Sequence, residues 1–221
     1  MPDPNTRILI VAFDALRPDM ATPDLMPRLN AFADAGVRFT RARSTFPTET
    51  RVNQTALVTG SMPARHGIVG NHFMDRVASP DKLFNTGDED ALREGDKRLD
   101  GKLVDTPVLG EILAAAGKSL AVVSSGTPGG TRMLHHRAEQ LGQFRLSLHR
   151  PDASTPPDGV QAAIKAAGPI PKHAIPSLDW LGYTTDVYLN YIQPTLDPDV
   201  TILWFCEPDN SYHYKGLGSD D

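Results

Sequence analysis

Cysteine is nearly absent from this sequence of 221 residues, which contains only Cys206. A single cysteine excludes a disulfide within the chain, so the hydrophobic core must hold the fold together. Such a chain suits a reducing compartment, and we expect a cytoplasmic location. A periplasmic protein without disulfides would have the same cysteine content.

Long apolar segments are also missing. The apolar run at residues 8–13 is far shorter than the roughly 20 residues that a bilayer-spanning helix requires. It is also too short for the apolar part of a secretion signal together with its cleavage site. We therefore expect no association with a membrane.

Positive charge is in deficit, because 22 Lys and Arg residues face 27 Asp and Glu residues, for a net charge of −5. A mildly acidic protein has no general field that attracts nucleic acid or an anionic membrane, and we expect neither as a partner. Any phosphate group that binds here must be held by local side chains or by metal ions.

What the sequence does contain is an alternation of apolar strands with helical segments. The predicted strands cover residues 7–13, 37–42, 119–125, 143–149 and 200–206. This alternation predicts an α/β fold with a doubly wound, mainly parallel sheet flanked by helices. The run at residues 7–13 has the pattern of a strand buried on both faces.

Local signals place several connections. Thr22 followed by Pro23 predicts the start of a helix that ends at Gly36. Residues 61–105 are rich in glycine and charge, and their weak periodicity predicts a long surface excursion within a single domain. We expect His135 and His136, in a predicted helix, to be surface residues.

Two carboxylates follow predicted strands directly. Asp14 ends the first strand, and Asp209 comes just after the last. Because ligands bind at the carboxyl ends of parallel strands, these residues are expected to meet at one edge of the sheet. His213 lies four residues after Asp209, and a carboxylate with an imidazole suits zinc better than calcium. From the residues alone, a turn-forming Asp14 and a solvated Asp209–His213 pair remain alternatives.

A hydroxyl and an amide complete the set of candidate side chains. Thr50 precedes a helix predicted at residues 51–59, where it is either a cap or, bound to a metal, a nucleophile. Asn71 lies in a glycine-containing turn, where it either supports the turn or donates to a phosphoryl oxygen.

Taken together, these segments resemble the nucleotide pyrophosphatase/phosphodiesterase family of the alkaline phosphatase superfamily. The resemblance is dense over about the first 75 residues and again over the last 20. The matching pieces are residues 11–19, 22–25, 46–50, 57–60, 63, 66–68, 71, 207–209, 213 and 216.

The resemblance implies an alkaline phosphatase-like fold and a two-metal site. Asp14 and Thr50 would hold one Zn²⁺, and Asp209 and His213 the other, with other divalent transition metals as substitutes. Thr50 would attack a small-molecule phosphodiester or pyrophosphate, nucleotides included, and form a phospho-threonine. Asn71 would hold a nonbridging oxygen.

Two departures from the family pattern stand out. Family members often have an aromatic residue after the nucleophile, where this sequence has Arg51, which we therefore expect to bind substrate. The family's later Asp-His-Gly motif and last metal-binding histidine are not among these 221 residues. The match is thus to the N-terminal part of a catalytic domain. We expect an incomplete sheet whose exposed edge a homo-oligomer or a missing C-terminal segment covers, and 221 residues that are inactive alone.

Three rival functions follow from the resemblance. A sulfatase requires Cys or Ser in the pattern Cys/Ser-x-Pro-x-Arg, and Cys206 is followed by Glu207, Pro208 and Asp209, so this pattern fails. A phosphonate hydrolase shares Thr and Asn in the same roles and stays open. The third rival is a non-catalytic binding protein or fragment that keeps half of the site.

Overall fold

The computed structural model describes residues 6–218, which form an α/β fold. The strands are β1 (Ile8–Phe13), β2 (His72–Phe73), β3 (Phe84–Asn85), β4 (Leu120–Ser124), β5 (Phe144–Ser147) and β6 (Val200–Phe205). The helices are α1 (Pro27–Asp34), α2 (Thr50–Thr59), α3 (Pro63–His66), α4 (Glu89–Arg98), α5 (Leu109–Ala115), α6 (Pro128–Leu134), α7 (Ala138–Leu141), α8 (Pro157–Ala167), α9 (Leu178–Val187) and α10 (Asp209–Lys215). A short 3₁₀ turn (Pro151–Ala153) precedes α8, and a π-helical stretch (Tyr188–Leu196) continues α9.

The central sheet is parallel, with strand order β1-β6-β4-β5, as the alternation of strands and helices predicted. Branched and aromatic side chains fill both faces of β4 and β6, which are buried throughout. One core cluster packs beneath residues of α4 and α6, and a second packs against α8 and α9 on the other face. Among the described residues, no helix has the length and apolarity needed to cross a bilayer.

Strand β1 is the edge of this sheet, and the prediction that it is buried on both faces was wrong. Ile8 is 53% exposed, and Leu9 and Val11 are also exposed. The cause is topological, because within residues 6–218 β1 pairs only with β6 and its other side has no strand. On that outer side, the backbone N–H and C=O groups of β1 have no partner strand among the described residues.

The segment around α1 also differs from the sequence prediction. The helix begins at Pro27 rather than at Thr22, whose hydroxyl instead accepts a hydrogen bond from the Leu25 N–H (3.3 Å) in a preceding turn. Residues 37–42 form no strand, and Phe39 is 80% exposed. An apolar stretch becomes a strand only where a neighbour pairs with it, and none does so in the part of the chain that the structure describes.

Residues 61–105 are not a surface excursion. They form α3, α4 and the antiparallel pair β2–β3, and Ile68, Phe84 and Leu92 from this segment join the core. The Glu89 carboxylate fixes α4 to the layer beside it by ion pairs with Arg132 (2.8 Å) and Arg145 (3.4 Å), all three side chains being buried. Within α4, Asp90, Glu94, Lys97 and Arg98 are exposed while Leu92 is buried, so this charged helix is amphipathic.

His135 and His136 are buried, contrary to the prediction that they are surface residues. The chain leaves α6 at His135 and passes under the layer of helices before α7 begins. His135 Nε2 lies 2.8 Å from Gln143 Oε1, and burial lowers the pKa of His135 to about 4 and that of His136 to about 3. Both imidazoles are neutral parts of the packing.

Candidate active site

Two carboxylates meet where β1 and β6 end. The Asp14 N–H donates to the Phe205 carbonyl (2.8 Å), and the Asp209 N–H donates to the Asp14 carbonyl (3.2 Å). The parallel pairing of β1 with β6 thus continues beyond the strands and aligns both residues. Carboxylates from distant parts of the sequence lie at one sheet edge, as the strand-end rule predicts.

The environment of these carboxylates favours a cation. Burial first, and then the nearby charge of Asp209, raise the pKa of Asp14 to about 6. Hydrogen bonds from Trp204 Nε1 (3.2 Å) and the Thr50 hydroxyl offset part of this shift. The pKa of Asp209 is also raised, mainly by burial. Two half-buried carboxylates that repel one another are stabilised when a cation binds between them.

Cys206 is the third member of this cluster. Its sulfur and one oxygen each of Asp14 and Asp209 lie within 4.8 Å of one another. Burial raises the pKa of the Cys206 thiol, and the two carboxylates raise it further, so the group is a neutral thiol. Its Sγ donates to Asn210 Oδ1 at 3.6 Å. The sequence offered no reason to place Cys206 here beyond its position after β6.

Thr50 is the first residue of α2, directly after Glu49 in extended conformation. Its hydroxyl interacts with the Asp14 carboxylate and lowers the pKa of that group, and it makes no capping hydrogen bond to the helix. The N-terminus of this ten-residue helix carries unpaired N–H groups and a partial positive charge that favour an anion. A phosphate beside Thr50 would therefore meet both a nucleophile and N–H donors.

Asn71 is held from three sides. Its Oδ1 accepts from the Arg51 N–H (3.1 Å), and its own N–H donates to the Glu49 carboxylate. Its carbonyl accepts from the Thr86 N–H (3.0 Å) and from the Thr86 hydroxyl (2.8 Å). This arrangement leaves Asn71 Nδ2 without an acceptor in the described part of the chain, at the wall of the cleft.

Arg51 lines the same cleft as a largely buried cation. Burial lowers the pKa of its guanidinium, and the charges of Asp14, Glu49 and Asp209 oppose that shift. Its Nε has no hydrogen-bond partner within residues 6–218. Arg51 therefore has donor capacity to offer a ligand.

His213 lies one turn after Asp209 on α10, with Nε2 3.5 Å from Asp209 Oδ1. The ring is 73% exposed and stands at the rim of the cleft. The structure thus places Asp14, Thr50 and Asp209 close together and His213 beside them. Two carboxylates, a hydroxyl and an imidazole form a donor set that fits a divalent transition metal.

These residues share one cleft of about 570 Å³. It is lined by Asp14, Thr50, Arg51, Gln54, Asn71, His72, Gly126, Thr127, His149, His173, Trp204, Cys206, Asp209, Asn210, His213 and Tyr214. Sequence reasoning missed the wall formed by Thr127, His149 and His173. The rule that identified Asp14 applies equally to Thr127 and His149, which follow β4 and β5, whereas His173 lies in a loop without any such signal.

A sequence model of the family "Type I phosphodiesterase / nucleotide pyrophosphatase" matches residues 8–221. Bis(5'-adenosyl)-triphosphatase enpp4 of Xenopus laevis is 34% identical over 82 residues, which are 37% of this chain and 18% of that protein. Its counterpart in Mus musculus is 37% identical over 71 residues, which are 32% of this chain and 16% of that protein.

Two solved structures share the fold. Phosphonoacetate hydrolase from Sinorhizobium meliloti 1021, in complex with phosphonoformate, has a TM-score of 0.68 at 23% identity. Murine ectonucleotide pyrophosphatase / phosphodiesterase 5, in an inactive form with AMP, has a TM-score of 0.61 at 19% identity. Each match covers 97% of this chain but only 49% and 47% of the respective neighbour, so the chain spans about half their length. The α/β architecture of this chain is thus the one that both neighbours share.

Proposed function

We propose, from the premise that the chain belongs to the type I phosphodiesterase/nucleotide pyrophosphatase family, that it hydrolyses phosphodiester or pyrophosphate bonds of small molecules, nucleotide-type substrates among them. One observation carries the proposal beyond family membership. Thr50 begins α2, its hydroxyl interacts with the Asp14 carboxylate and lowers the pKa of that group, and it lines the cleft that Asp209 also lines. The cleft at the N-terminus of α2 therefore contains a nucleophile, N–H groups that can bind an anion, and a pair of carboxylates.

Thr50 is the nucleophile in this proposal. Its oxygen forms a bond to phosphorus as the bond from phosphorus to the leaving-group oxygen breaks, which yields a phospho-threonine and a free alcohol or phosphate. Water then attacks the phosphorus, and Thr50 leaves with its hydroxyl restored. The Asp14 carboxylate, with which the Thr50 hydroxyl interacts, orients the oxygen for attack.

Two Zn²⁺ ions fit the donor set described above, and Asp14, Thr50, Asp209 and His213 would hold them. Such ions lower the pKa of a bound hydroxyl and stabilise the charge on the phosphoryl oxygens. The raised pKa of both carboxyls supports the assignment, because a group that is costly to ionise in the empty site gains most from a neighbouring cation.

Asn71 and Arg51 complete the proposed machinery. Asn71 Nδ2 and the Thr50 N–H would donate to a nonbridging phosphoryl oxygen, whose charge grows in the transition state. Asn71 suits this role because its Oδ1 is already engaged by the Arg51 N–H (3.1 Å) and its amide plane is therefore fixed. The Arg51 guanidinium binds substrate charge in the same cleft.

The free edge of β1 is the basis for a proposed partner. Exposed edge strands with apolar side chains pair readily with other strands, and natural proteins cover or interrupt them. We propose that a further stretch of polypeptide, in this protein or in a second copy of it, covers β1. Sedimentation separates the two cases, since only the second copy makes the apparent mass depend on concentration. A monomer whose β1 amides exchange rapidly with solvent would contradict both.

Substitution of Thr50 tests the proposed function. In a zinc-supplemented form of the protein that includes the segment or second copy proposed to cover β1, Thr50→Ala should lower the hydrolysis of an activated aryl phosphodiester by about a thousandfold or more. Thr48→Ala is the matched control, because Thr48 is an exposed neighbour two residues away, and it should stay within about twofold of wild type.

The intermediate provides a second readout. Acid quenching during turnover, followed by mass spectrometry, should find phosphate on the peptide that contains Thr50. Retention of more than a few per cent of the activity in Thr50→Ala excludes this nucleophile. Wild-type protein in that same form, if it binds zinc and turns over no substrate, favours the non-catalytic alternative.

A further inference from the structure

The turn between β3 and α4 begins at Thr86, a fully buried residue that contacts the backbone of Asn71. In the β2–β3 pair His72 lies opposite Asn85, so the next position of this antiparallel ladder places Thr86 opposite Asn71. The Thr86 N–H donates to the Asn71 carbonyl (3.0 Å), and the Thr86 hydroxyl donates to the same oxygen (2.8 Å). One residue therefore supplies two hydrogen bonds to a single carbonyl, which restrains the position and the tilt of the Asn71 peptide.

Helix α6 packs directly against this turn. The Gly129 N–H donates to the Gly87 carbonyl (2.9 Å). A Cβ atom at position 129 would collide with the Thr86 carbonyl oxygen and with the backbone of Gly87 and Asp88, so only glycine permits this approach. Backbone thus lies against backbone with no flexible side chain between them, and a shift of the turn would displace α6.

The helix that follows the turn is anchored as well. The Asp88 carboxylate caps α4 by accepting hydrogen bonds from two of its first N–H groups (2.8 and 3.0 Å). Glu89, the next residue, is 3% exposed and forms ion pairs with Arg132 of α6 and Arg145 of β5. Moving a buried carboxylate away from such partners is costly, because its charge would lose its compensation. The turn that begins at Thr86 is therefore fixed at both α4 and α6.

The same turn also lies against Arg51. A Cβ atom at Gly87 would lie 3.5 Å from Arg51 Nη2, an ordinary contact distance, so the guanidinium is next to the turn. The Arg51 N–H in turn donates to Asn71 Oδ1 (3.1 Å). Arg51 and Asn71, which are both proposed to contact substrate, thus depend on where Thr86 and Gly87 are placed.

We propose that Thr86 is a positioning residue for the reaction, whose hydroxyl fixes the Asn71 backbone so that Asn71 Nδ2 is aimed at a nonbridging phosphoryl oxygen. This inference rests on the proposed function, in which Asn71 donates to that oxygen and Thr50 attacks. Thr86 itself is fully buried and does not belong to the cleft lining of the described chain, so it touches no substrate and acts through Asn71. A donor that is held in place before the reaction stabilises the transition state without having to reorient.

Two substitutions of Thr86 separate its hydroxyl from its bulk. Thr86→Val keeps the shape of the side chain but leaves the Asn71 carbonyl with one hydrogen bond, whereas Thr86→Ser keeps the hydroxyl. In the zinc-supplemented form used to test Thr50, Thr86→Val should lower kcat for an aryl phosphodiester about tenfold and change KM less than about twofold, because the misplaced donor acts mainly in the transition state. Thr86→Ser should recover most of the rate. Equal losses of kcat in both variants would overturn the proposal.

Thr184→Val is the matched control for the loss of a buried hydroxyl. Thr184 is also fully buried, and its hydroxyl donates to a backbone carbonyl, that of Trp180 (2.8 Å), within α9. This variant should lower the free energy of unfolding in urea by an amount similar to Thr86→Val, but it should leave kcat within about twofold of wild type. A comparable loss of kcat in both variants would attribute the effect of Thr86→Val to general destabilisation and overturn the proposal.

A double-mutant cycle with Asn71→Ala shows whether Thr86 acts through Asn71. If it does, Thr86→Val should change kcat less than about twofold once the Asn71 side chain is absent, although the same substitution lowers kcat about tenfold when Asn71 is present. Independent losses that multiply in the double variant would contradict this coupling and overturn the proposal.

Amide exchange tests the placement of Asn71 without any turnover. The Arg51 N–H, whose acceptor is Asn71 Oδ1, reports directly on the position of that side chain. NMR should show that this amide exchanges with solvent at least about tenfold faster in Thr86→Val than in wild type or in Thr184→Val. Unchanged exchange overturns the proposal, whether or not the protein hydrolyses a substrate. Faster exchange in a protein that has no activity, or whose kcat is insensitive to Asn71→Ala, supports positioning by Thr86 and rejects the proposed function instead.

Discussion

Arg51 and Asn71 are joined by a hydrogen bond from the Arg51 N–H to Asn71 Oδ1, at 3.1 Å. Glu49 reinforces the same junction, because its carboxylate accepts from the Asn71 N–H. Arg51 therefore hydrogen-bonds to the side chain of Asn71, and Glu49 hydrogen-bonds to its backbone. The distance between the proposed nucleophile and the proposed oxyanion donor is set by these two contacts.

Glu49 is predicted to be a positioning residue. Glu49→Ala removes the acceptor for the Asn71 N–H and should lower kcat about 10- to 100-fold with little change in KM, because the misplaced donor acts mainly in the transition state. Glu49→Gln keeps an acceptor oxygen and should recover most of the rate. Steady-state kinetics with an aryl diester would measure both variants. Equal losses in Ala and Gln would show that the negative charge, not the contact, matters.

Metal binding is predicted to weaken in acid. The raised pKa of Asp14, about 6, means that a proton competes with the cation below that pH. Zinc affinity should be nearly constant above pH 7 and about tenfold lower at pH 5. Calorimetric titrations across this range measure the effect. Asp14→Asn should bind zinc weakly at every pH, and a strong pH dependence that persists in this variant would assign the proton to another group.

Asp14 is also predicted to destabilise the metal-free protein. A carboxyl whose folded pKa, about 6, exceeds its ordinary value of 3.8 contributes stability below pH 3.8 and loses it as pH rises through 6. The ionised form therefore costs up to about 3 kcal/mol above pH 7. Asp14→Asn should raise the free energy of unfolding by about 2–3 kcal/mol at pH 8.

The pH dependence of this gain provides the control. At pH 4 the Asp14 carboxyl is protonated in the folded protein, so most of the cost of burying its charge is absent. The gain in the free energy of unfolding from Asp14→Asn should therefore fall below about 1 kcal/mol. Urea unfolding of the metal-free protein at pH 8 and pH 4 supplies both numbers. The same gain at both values would attribute the stabilisation to packing rather than to charge.

Arg51 is predicted to tune the choice between substrates of different charge. Wild type should prefer aryl diesters over aryl monoesters by kcat/KM, because a diester carries one charge fewer. Arg51→Ala should lower kcat/KM for the monoester more than for the diester, since the guanidinium can neutralise the extra charge. Arg51→Lys keeps the positive charge but lacks the planar guanidinium that makes two parallel hydrogen bonds. This variant therefore separates the contribution of charge from that of hydrogen-bond geometry. A monoester preference in wild type would reverse this assignment and make Arg51 the dominant determinant.

The two carboxylates at the centre of the site could be predicted from the sequence, whereas the residues that line the rest of the cleft could not. Asp14 and Asp209 could be placed together because each ends a strand, and strand ends share an edge whatever the loops do. His173 could not, since a proline-rich loop has no periodicity from which the direction of a side chain follows. The prediction that His135 and His136 are surface residues was wrong because it assumed a helix at these positions. In the structure α6 ends before them, at Leu134.

The other two differences between prediction and structure, the exposure of β1 and the fold of residues 61–105, depend on which elements pack against these segments. Burial of β1 depends on what lies beyond it, and its apolar run has the same pattern at the edge of a sheet as at its centre. Residues 61–105 gave no clear period because α4 is charged on one face while Phe84 and Leu92 are buried in the core. Tertiary packing of this kind is visible only in three dimensions.

The indole of Trp204, which donates to the Asp14 carboxylate (3.2 Å), gives the protein an intrinsic optical reporter. The chain has two tryptophans, and the other, Trp180, lies beneath His149 and His173. Fluorescence from Trp204 should respond when a cation changes the charge of its acceptor, and emission from Trp180 should respond when a ligand contacts the histidines. With Trp180→Phe or Trp204→Phe, each end of the cleft can be followed separately in real time without any added label.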